Sequence, residues 1–260
     1  MSRILAIANQ KGGVGKTTTS INLAASLAAS KKSVLLIDMD PQGNATMGSG
    51  VDKYEVEFSA YDVLIEGKPA AECIQKLDDV GIDILPANGD VTAAEVDLVA
   101  AENRESRLRD ALAPVQDKYD FILLDCPPSL NMLTLNALVA ANGVLIPMQC
   151  EYYALEGLAA LTETIETVRS TVNPSLQIEG LLRTMFDPRN NLANDVSDQL
   201  LEHFGDRVYR TIVPRNVRLA EAPSHGLPVI HYDKTSRGAV AYLSLAGEIV
   251  RRQLQEANVA

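Results

Sequence analysis

A cluster of glycine and cationic residues near the start of the chain has the composition of a phosphate-binding loop. Residues 10–18 read Gln-Lys-Gly-Gly-Val-Gly-Lys-Thr-Thr, between an apolar run and a segment of helical periodicity. Glycines let successive backbone N–H groups turn toward an anion, and a helix N-terminus adds partial positive charge. Lys16 would reach the outer phosphates, and the Thr17 hydroxyl would ligate Mg²⁺. The predicted phosphate-binding residues are Gly12, Gly13, Val14, Gly15, Lys16, Thr17 and Thr18.

Three aspartates follow two further apolar runs and could complete such a site. Asp38 and Asp40 end the run that begins at Val34, and alternation along an extended chain places both on one side. Asp125 ends the run 121–124, which has the form of a strand whose carboxylate binds Mg²⁺ through water. A phosphate cradle, metal-binding carboxylates and a water-orienting acid are together what phosphoryl transfer to water requires. The sequence therefore predicts a nucleotide hydrolase.

The elements that must position these residues alternate along the chain. Short runs rich in Ile, Val and Leu alternate with longer segments of helical periodicity, which is typical of a parallel sheet covered by helices on both faces. We therefore predict an α/β fold: a single P-loop domain over residues 1–260 with a mostly parallel, twisted sheet. The predicted strands are Ile4–Asn9, Val34–Asp38, Ile82–Pro86, Phe121–Asp125, Val144–Met148, Ile178–Thr184 and Arg210–Val213. The predicted helices are Thr17–Ser30, Thr92–Ala101, Arg104–Leu112, Asn131–Ala140, Leu155–Thr171, Leu192–Phe204 and Arg237–Glu256.

The composition argues against several classes of protein. With 47% hydrophobic and 22% charged residues the chain is typical of globular proteins, and no apolar run approaches the ~20 residues that cross a bilayer. The N-terminus carries no signal-peptide cleavage pattern, so we expect a cytoplasmic protein. Cys73, Cys126 and Cys150 lie far apart, which argues against both a disulfide framework and a thiolate metal site.

The charge is unevenly distributed along the chain. A net charge of −11 alone argues against a nucleic-acid partner, because phosphate binding needs a basic surface. However, residues 1–179 contain 13 basic and 25 acidic side chains, whereas residues 180–252 contain 10 and 8. Nine of those ten late cations are arginines, which suit phosphate contact. The asymmetry indicates either a phosphate-contacting surface or a solvated face with local ion pairs.

The phosphate-binding loop departs from the general P-loop pattern in one informative way. Gln10 stands where that pattern has a glycine, and Lys11 adds a second lysine. The segment KGGVGKTT resembles the deviant P-loop of the ParA/MinD superfamily of ATPases. In that family the first lysine crosses the interface of a nucleotide-sandwiched dimer. The resemblance therefore implies ATP and Mg²⁺ as cofactors, an ATP-dependent homodimer, and catalytic roles for Lys11 in the partner's site and for Lys16 in its own.

Three more segments resemble the same family. VLLIDMDPQGN is similar to its switch I segment and DCPPS to its switch II turn. The resemblance implies that Asp40 orients the attacking water, while Asp38 supports Mg²⁺ from the outer sphere and Asp125 is the strand-end metal carboxylate. IVPRN is similar to the segment that contacts adenine, which implies base contacts from Pro214 and Asn216. An ordinary turn remains an alternative for that last segment.

Two arginine-containing segments, RTMFDPRNN and VPRNVRLAEAPSHG, resemble chromosomal ParA proteins. The resemblance implies that Arg189 and Arg218, with Arg183 and Arg215, bind double-stranded DNA without sequence preference in the ATP-bound dimer. Ion pairs at the surface or an interface are the alternative. It also implies a ParB-type centromere-binding protein that stimulates hydrolysis, and a location on the nucleoid.

Two other functions remain open: a MinD-like ATPase at a membrane surface, and a metabolic P-loop ligase or synthetase. The C-terminal segment 248–260 is short, mixed in charge and poor in bulky apolar residues. An amphipathic membrane anchor has the opposite composition, so we expect no membrane partner.

Overall fold

The computed structural model describes residues 2–257. Met1 and residues 258–260 lie outside the described residues. They are the two ends of the predicted domain 1–260, and residues 258–260 also end the C-terminal segment 248–260. The strands are β1 (Arg3–Ile7), β2 (Val34–Asp38), β3 (Gln75–Leu77), β4 (Ile82–Leu85), β5 (Phe121–Asp125), β6 (Gly143–Gln149), β7 (Gln177–Phe186) and β8 (Val208–Pro214). The helices are α1 (Lys16–Ala29), α2 (Asn44–Gly48), α3 (Ala60–Leu64), α4 (Ala70–Cys73), α5 (Val91–Ala100), α6 (Arg107–Leu112), α7 (Met132–Ala140), α8 (Ala154–Thr171), α9 (Asn191–Phe204), α10 (Val217–Glu221), α11 (Val229–Tyr232) and α12 (Arg237–Ala257).

The strands form one eight-stranded sheet in the order β3-β4-β2-β5-β1-β6-β7-β8. Every pairing is parallel except that of β3 with β4, which is antiparallel. The α/β class and the mostly parallel sheet are therefore confirmed. β3 was not predicted, because three residues, two of them polar, are too few to show a strand's alternation.

Both faces of the sheet are buried, which explains the continuous apolar runs of its strands. In β1, Ile4 and Ala6 belong to one core, whereas Leu5 and Ile7 belong to the other. Side chains of α1 and α12 cover one face, and those of α5 to α9 cover the opposite face. Burying each Leu or Ile side chain contributes about 1.5–3 kcal/mol, so this two-sided burial fixes the central strands firmly.

The long helices lie close to their predicted positions, and the short ones do not appear among the predictions. The helix predicted to begin at Arg104 begins at Arg107, because residues 101–106 form turns that include Asn103 with a φ of 52°. The irregular segment after β2 contains α2, and α3, α4, α10 and α11 were also missed. Helices of four or five residues are too short to display a 3.6-residue period.

The remaining predictions on composition can be compared directly with the structure. All three cysteines are buried and free. Within residues 2–257, no helix has both the length and the apolar character needed to cross a bilayer.

Candidate nucleotide-binding site

The predicted phosphate-binding loop and the predicted metal-site aspartates lie at the carboxyl ends of three neighbouring strands. β5 lies between β2 and β1, and Asp125 is in register with Asp38 on one side and with Ile7 on the other. Parallel strands end at the same edge of a sheet, which is where ligands bind in open α/β folds. The topology thus brings the loop after β1 next to both predicted metal-site aspartates.

The loop between β1 and α1 is closed by three side-chain hydrogen bonds. The backbone N–H of Lys11 donates to Asn9 Oδ1 at 3.0 Å, and Nζ of Lys16 donates to the carbonyl of Lys11 at 3.2 Å. Thr184 Oγ1 donates to the carbonyl of Val14 at 2.7 Å. The carbonyl of Val14 is thus bound from β7 and that of Lys11 by Lys16, and none of these three hydrogen bonds occupies a backbone N–H of residues 12–15.

Space and charge at the start of α1 suit a phosphate group. A Cβ added to Gly12 or Gly13 would have no atom within 4 Å, so the loop has open space beside its backbone. Gly15, with a φ of 90°, precedes the helix, whose N-terminus has neither a side-chain cap nor an acidic residue in its first turn. The first-turn N–H groups therefore lack helical partners and carry partial positive charge.

Lys16 is only 7% exposed and points back into this loop. Burial lowers the pKa of its ammonium, and the nearby Asp125 and Asp40 carboxylates oppose that change. A buried ammonium that donates to a single carbonyl retains capacity for further bonds, since an ammonium has three donors. A bound phosphate would supply acceptors for it.

Asp125 has an oxygen that suits a cation. Its side chain is fully buried, and Ser20 Oγ donates to Oδ1 at 2.7 Å. Oδ2 is buried with no hydrogen-bond partner among the described residues. Burial raises the pKa of Asp125, and the charge of Asp38 adds to this rise. A divalent cation would offset both effects, so these residues fit a magnesium ion with Thr17 as the neighbouring hydroxyl ligand.

Within residues 2–257, no group of three His, Cys, Asp or Glu side chains is arranged to bind a metal. Magnesium usually keeps several waters and binds one or two carboxylates together with substrate phosphates. Asp125 and Thr17 would supply such a small number of protein ligands.

Both carboxylate oxygens of Asp38 accept hydrogen bonds from the segment that follows β2. Its Oδ1 accepts from the N–H of Asp40 at 3.1 Å, and its Oδ2 accepts from the N–H and the hydroxyl of Thr46 at 2.8 and 2.7 Å. Burial raises the pKa of Asp38, whereas these hydrogen bonds lower it. Asp38 thus fixes the turn that presents Asp40, and its outer-sphere role toward Mg²⁺ stays a prediction.

Asp40 lies at the start of the segment that resembles switch I. It is 8% exposed, and its Oδ1 accepts from the N–H of Gln42 at 2.9 Å. Its carboxylate opposes the lowering of the Lys16 pKa, as the carboxylate of Asp125 does. The action of Asp40 on an attacking water stays a prediction.

Lys11 differs from Lys16 in direction and exposure. Its side chain is partly exposed, and Nζ donates to Glu151 Oε2 at 2.5 Å. The Glu151 side chain is more exposed than that of Lys11. Glu151 lies two residues after the end of β6. Lys11 therefore lies at the surface in an ion pair.

The predicted base contacts lie farther along the same edge. Pro214 ends β8 and is in register with Phe186 of β7. Asn216 Oδ1 accepts from the N–H of Leu219 at 3.3 Å and caps α10. The structure thus explains Asn216 as a helix cap, and its contact with adenine stays a prediction.

The four arginines predicted to bind DNA fall into two groups. Arg189 is 88% exposed and donates through two nitrogens to Asp187, and exposed Arg218 pairs with Glu221 and Asp233. Arg215 is also exposed.

Arg183 is 7% exposed and donates to Ser197 Oγ and to the carbonyl of Tyr209, both at 2.9 Å. Its guanidinium is turned into the protein, so phosphate contact is not compatible with this geometry. The prediction of Arg183 as a DNA contact is corrected here to a structural role.

Three residues at the site were not predicted: Ser20, Glu151 and Thr184. Ser20 lies four residues after Lys16, on the same helical face, so periodicity could have indicated it. Glu151 and Thr184 reach the loop from the ends of β6 and β7, and only the three-dimensional order of the strands brings them there.

Comparisons with known proteins agree with this geometry. A family model described as an AAA domain matches residues 2–178. The chain is 52% identical to the sporulation initiation inhibitor protein Soj of Bacillus subtilis, over 96% of this chain and 98% of that protein. It is also 52% identical to the chromosome partitioning protein ParA of Myxococcus xanthus, over 97% and 89%.

Solved structures share the fold. A Mycobacterium smegmatis structure described as cobyrinic acid a,c-diamide synthase with a bound ATP analogue and magnesium has a TM-score of 0.85 and 36% identity. The match covers 97% of this chain and 96% of that one.

Proposed function

The chain belongs to the ParA/Soj family of chromosome-partitioning ATPases, and we propose that ATP closes it into a homodimer that binds DNA without sequence preference. It is an ATPase that uses ATP and Mg²⁺, in line with the nucleotide and metal bound in its structural relative. Hydrolysis returns the dimer to monomers and releases the DNA.

The observation that carries this proposal is the different placement of the two loop lysines. Lys16 is buried and directed into its own loop, whereas Lys11 is partly exposed and bound to Glu151 by one ion pair. Exposed ion pairs contribute about 0–1 kcal/mol, so a stronger acceptor would displace Glu151. The phosphates of a nucleotide in a second copy of this chain are such an acceptor. Lys11 would then add a cation to its partner's site.

Within one site the residues divide the work of hydrolysis. Gly12 to Gly15 and the start of α1 bind the phosphates, and Lys16 neutralises their charge. Thr17 and Asp125 would hold Mg²⁺, and the ion would withdraw negative charge from the phosphate oxygens. Asp40 orients the attacking water and accepts its proton. Catalysis then rests on positioning and electrostatics, as expected for phosphoryl transfer.

Base recognition falls to the end of β8. Pro214 would pack against adenine, and Asn216 would contact its edge while capping α10. The cap uses Oδ1 and leaves the side-chain amide donors for the base.

The DNA-binding surface would be formed by Arg189, Arg215 and Arg218. Two of these arginines are paired with carboxylates in one chain, which reduces their net charge. Dimerisation doubles the number of arginines that meet one duplex, and binding through two linked sites is far tighter than through one. This explains how an acidic protein would bind DNA only when ATP is bound. Nucleoid association follows from it.

A ParB-type partner would stimulate hydrolysis in the DNA-bound dimer. Relatives named for chromosome partitioning support this partner. ATP then sets the population of the dimer, and the partner sets its lifetime.

The decisive experiment measures mass and DNA binding together. With a non-hydrolysable ATP analogue and Mg²⁺, sedimentation should show a dimer, and the dimer should bind DNA of unrelated sequences with a steep salt dependence. With ADP the protein should sediment as a monomer and bind weakly. A monomer under both conditions would refute the proposal.

One comparison favours a second candidate function. The structural relative at 36% identity is described as an amide-forming synthase, which would make the same site activate a small carboxylate. Turnover separates the two, because a metabolic enzyme needs a small substrate and ignores DNA. Stimulation of ATP hydrolysis by DNA together with a ParB-type protein would exclude the synthase.

A further inference from the structure

We propose that Thr184 is a positioning residue that turns the backbone N–H of Gly15 toward the bound phosphate. The inference rests on the proposed nucleotide site and adds a residue from β7, a strand that is not adjacent to β1, the strand that leads into the loop. It concerns one peptide group, that between Val14 and Gly15.

The geometry of a trans peptide carries the argument. Thr184 Oγ1 donates to the carbonyl of Val14 at 2.7 Å, and Thr184 is 2% exposed. In a trans peptide the carbonyl and the following N–H point in opposite directions, and the described residues include no cis peptide. A hydroxyl that binds the Val14 carbonyl therefore directs the Gly15 N–H away from β7. That direction faces the loop interior, where Lys16 also points.

The peptide needs such a restraint because of the glycine that follows it. Gly15 has a φ of 90°, a conformation that glycine enters freely, so rotating the Val14–Gly15 peptide meets little steric resistance. A Cβ on Gly15 would lie 3.8 Å from Thr184 Cγ2, which is ordinary contact and would not fix the peptide. The hydrogen bond from Thr184 selects one of the accessible orientations.

The end of β7 is built to deliver this hydroxyl. Leu182 belongs to the core on the α1 side of the sheet, and alternation places Thr184 on the same side. Met185 then has a φ of 49°, unusual for a residue with a side chain, and Gln149 Nε2 donates to its sulfur at 3.0 Å. Residues with such strained backbone conformations persist only where the surrounding structure holds them in place, and they are frequent at functional sites.

The test removes the hydroxyl and keeps the shape. Thr184→Val should weaken Mg–ADP binding about tenfold by calorimetry, because one charge-assisted hydrogen bond to phosphate loses its orientation. Thr184→Ser keeps the donor and should bind within about twofold of wild type. Thr162→Val is the matched control: its hydroxyl donates to the carbonyl of Leu158 at 2.8 Å on α8, and its loss should leave affinity unchanged.

A second readout reports on the peptide itself. In ¹⁵N-labelled protein the Gly15 amide proton should shift downfield on addition of Mg–ADP, and Thr184→Val should abolish most of that shift. If Thr184→Val does not fold, Thr184→Ala and Thr184→Ser provide the same comparison. A residue that only stabilises the fold would lower the melting temperature without a selective change at Gly15.

The outcomes separate this inference from the proposed function. Lys16→Ala should lose Mg–ADP binding whichever role Thr184 has. If Lys16→Ala binds normally, the phosphate site itself is wrong. If Lys16→Ala loses binding while Thr184→Val matches wild type in affinity and in the Gly15 shift, the site stands and the role of Thr184 is overturned.

Discussion

Lys11 Nζ and Glu151 Oε2 lie 2.5 Å apart within a single chain, joining the loop after β1 to the segment after β6. The lysine proposed to act on the partner's nucleotide is thus bound to a carboxylate of its own subunit. Under the proposed dimerisation, this pair must break before the ammonium can reach the partner's nucleotide. Glu151 would then compete with the partner's phosphates for the same cation.

Removing that competition should favour the dimer. Glu151→Gln should lower the analogue concentration at half-maximal dimerisation by about twofold to fivefold, the range expected for an exposed ion pair. Sedimentation velocity at several concentrations of a non-hydrolysable ATP analogue measures this. Glu72→Gln, which breaks the remote exposed pair with Lys68, is the control and should have no effect. Weaker dimerisation in Glu151→Gln would mean that Glu151 supports the interface.

The two lysines of the loop should have separable effects on nucleotide binding. Lys16→Ala should weaken Mg–ADP binding by about a hundredfold or more, because a buried cation that contacts phosphate is lost. Lys11→Ala should retain ADP affinity in the monomer and lose ATP-dependent dimerisation. Calorimetry and sedimentation measure the two properties. Equal loss of ADP affinity in both variants would contradict the assignment of Lys11 to the partner's site.

Asp40 should affect turnover more than binding. Asp40→Ala should still dimerise with ATP but hydrolyse it about a hundredfold more slowly, because the attacking water is no longer oriented. Asp40→Asn keeps an oxygen for the N–H of Gln42 and controls for loss of the turn. Phosphate release gives the rate. Turnover close to wild type in Asp40→Asn would assign the residue to the turn alone.

The sequence predicts the sheet's interior strands and the loop because these features are local. The apolar runs that end in Asp38 and Asp125 mark strands buried on both faces, and KGGVGKTT has the spacing of a phosphate loop. The register that places these aspartates side by side depends on β5 lying beside β2, which is a property of the whole fold.

Arg183 and Thr184 show where local reasoning reaches its limit. Both belong to one apolar strand, and the sequence does not indicate which face each occupies or what lies opposite. The structure buries Arg183 against Ser197 of α9, and it directs Thr184 to the loop after β1. A resemblance identifies the segment as important, and only packing separates a phosphate contact from a core residue.

The contribution of the exposed arginines to DNA affinity should be limited by the carboxylates with which they form ion pairs. Hydrogen bonds from Arg189 lower the pKa of Asp187 to about 2. This carboxylate is therefore charged at neutral pH and holds the Arg189 guanidinium. Asp187→Asn should free Arg189 and raise the DNA affinity of the analogue-bound dimer by about twofold to fivefold. Arg189→Ala should weaken it and reduce the slope of log affinity against log salt by about one per contact. Fluorescence anisotropy at several salt concentrations measures both.

Unchanged dimerisation is the control for those two variants. If Arg189→Ala dimerises less in proportion to its loss of DNA binding, the residue belongs to the subunit interface.

Replacing Arg183 should lower the stability of the protein and leave the DNA affinity of the folded protein unchanged. Arg183→Ala removes the donors to Ser197 Oγ and to the Tyr209 carbonyl, and it leaves a cavity beside β8. Unsatisfied buried acceptors and lost packing together should lower the free energy of unfolding by about 2–4 kcal/mol. Arg215→Ala, at an exposed position, should change it by less than about 0.5 kcal/mol. Urea denaturation measures both, and DNA binding is then compared under conditions where each variant is folded. An Arg183→Ala protein as stable as wild type but unable to bind DNA would restore the residue to the DNA-binding surface.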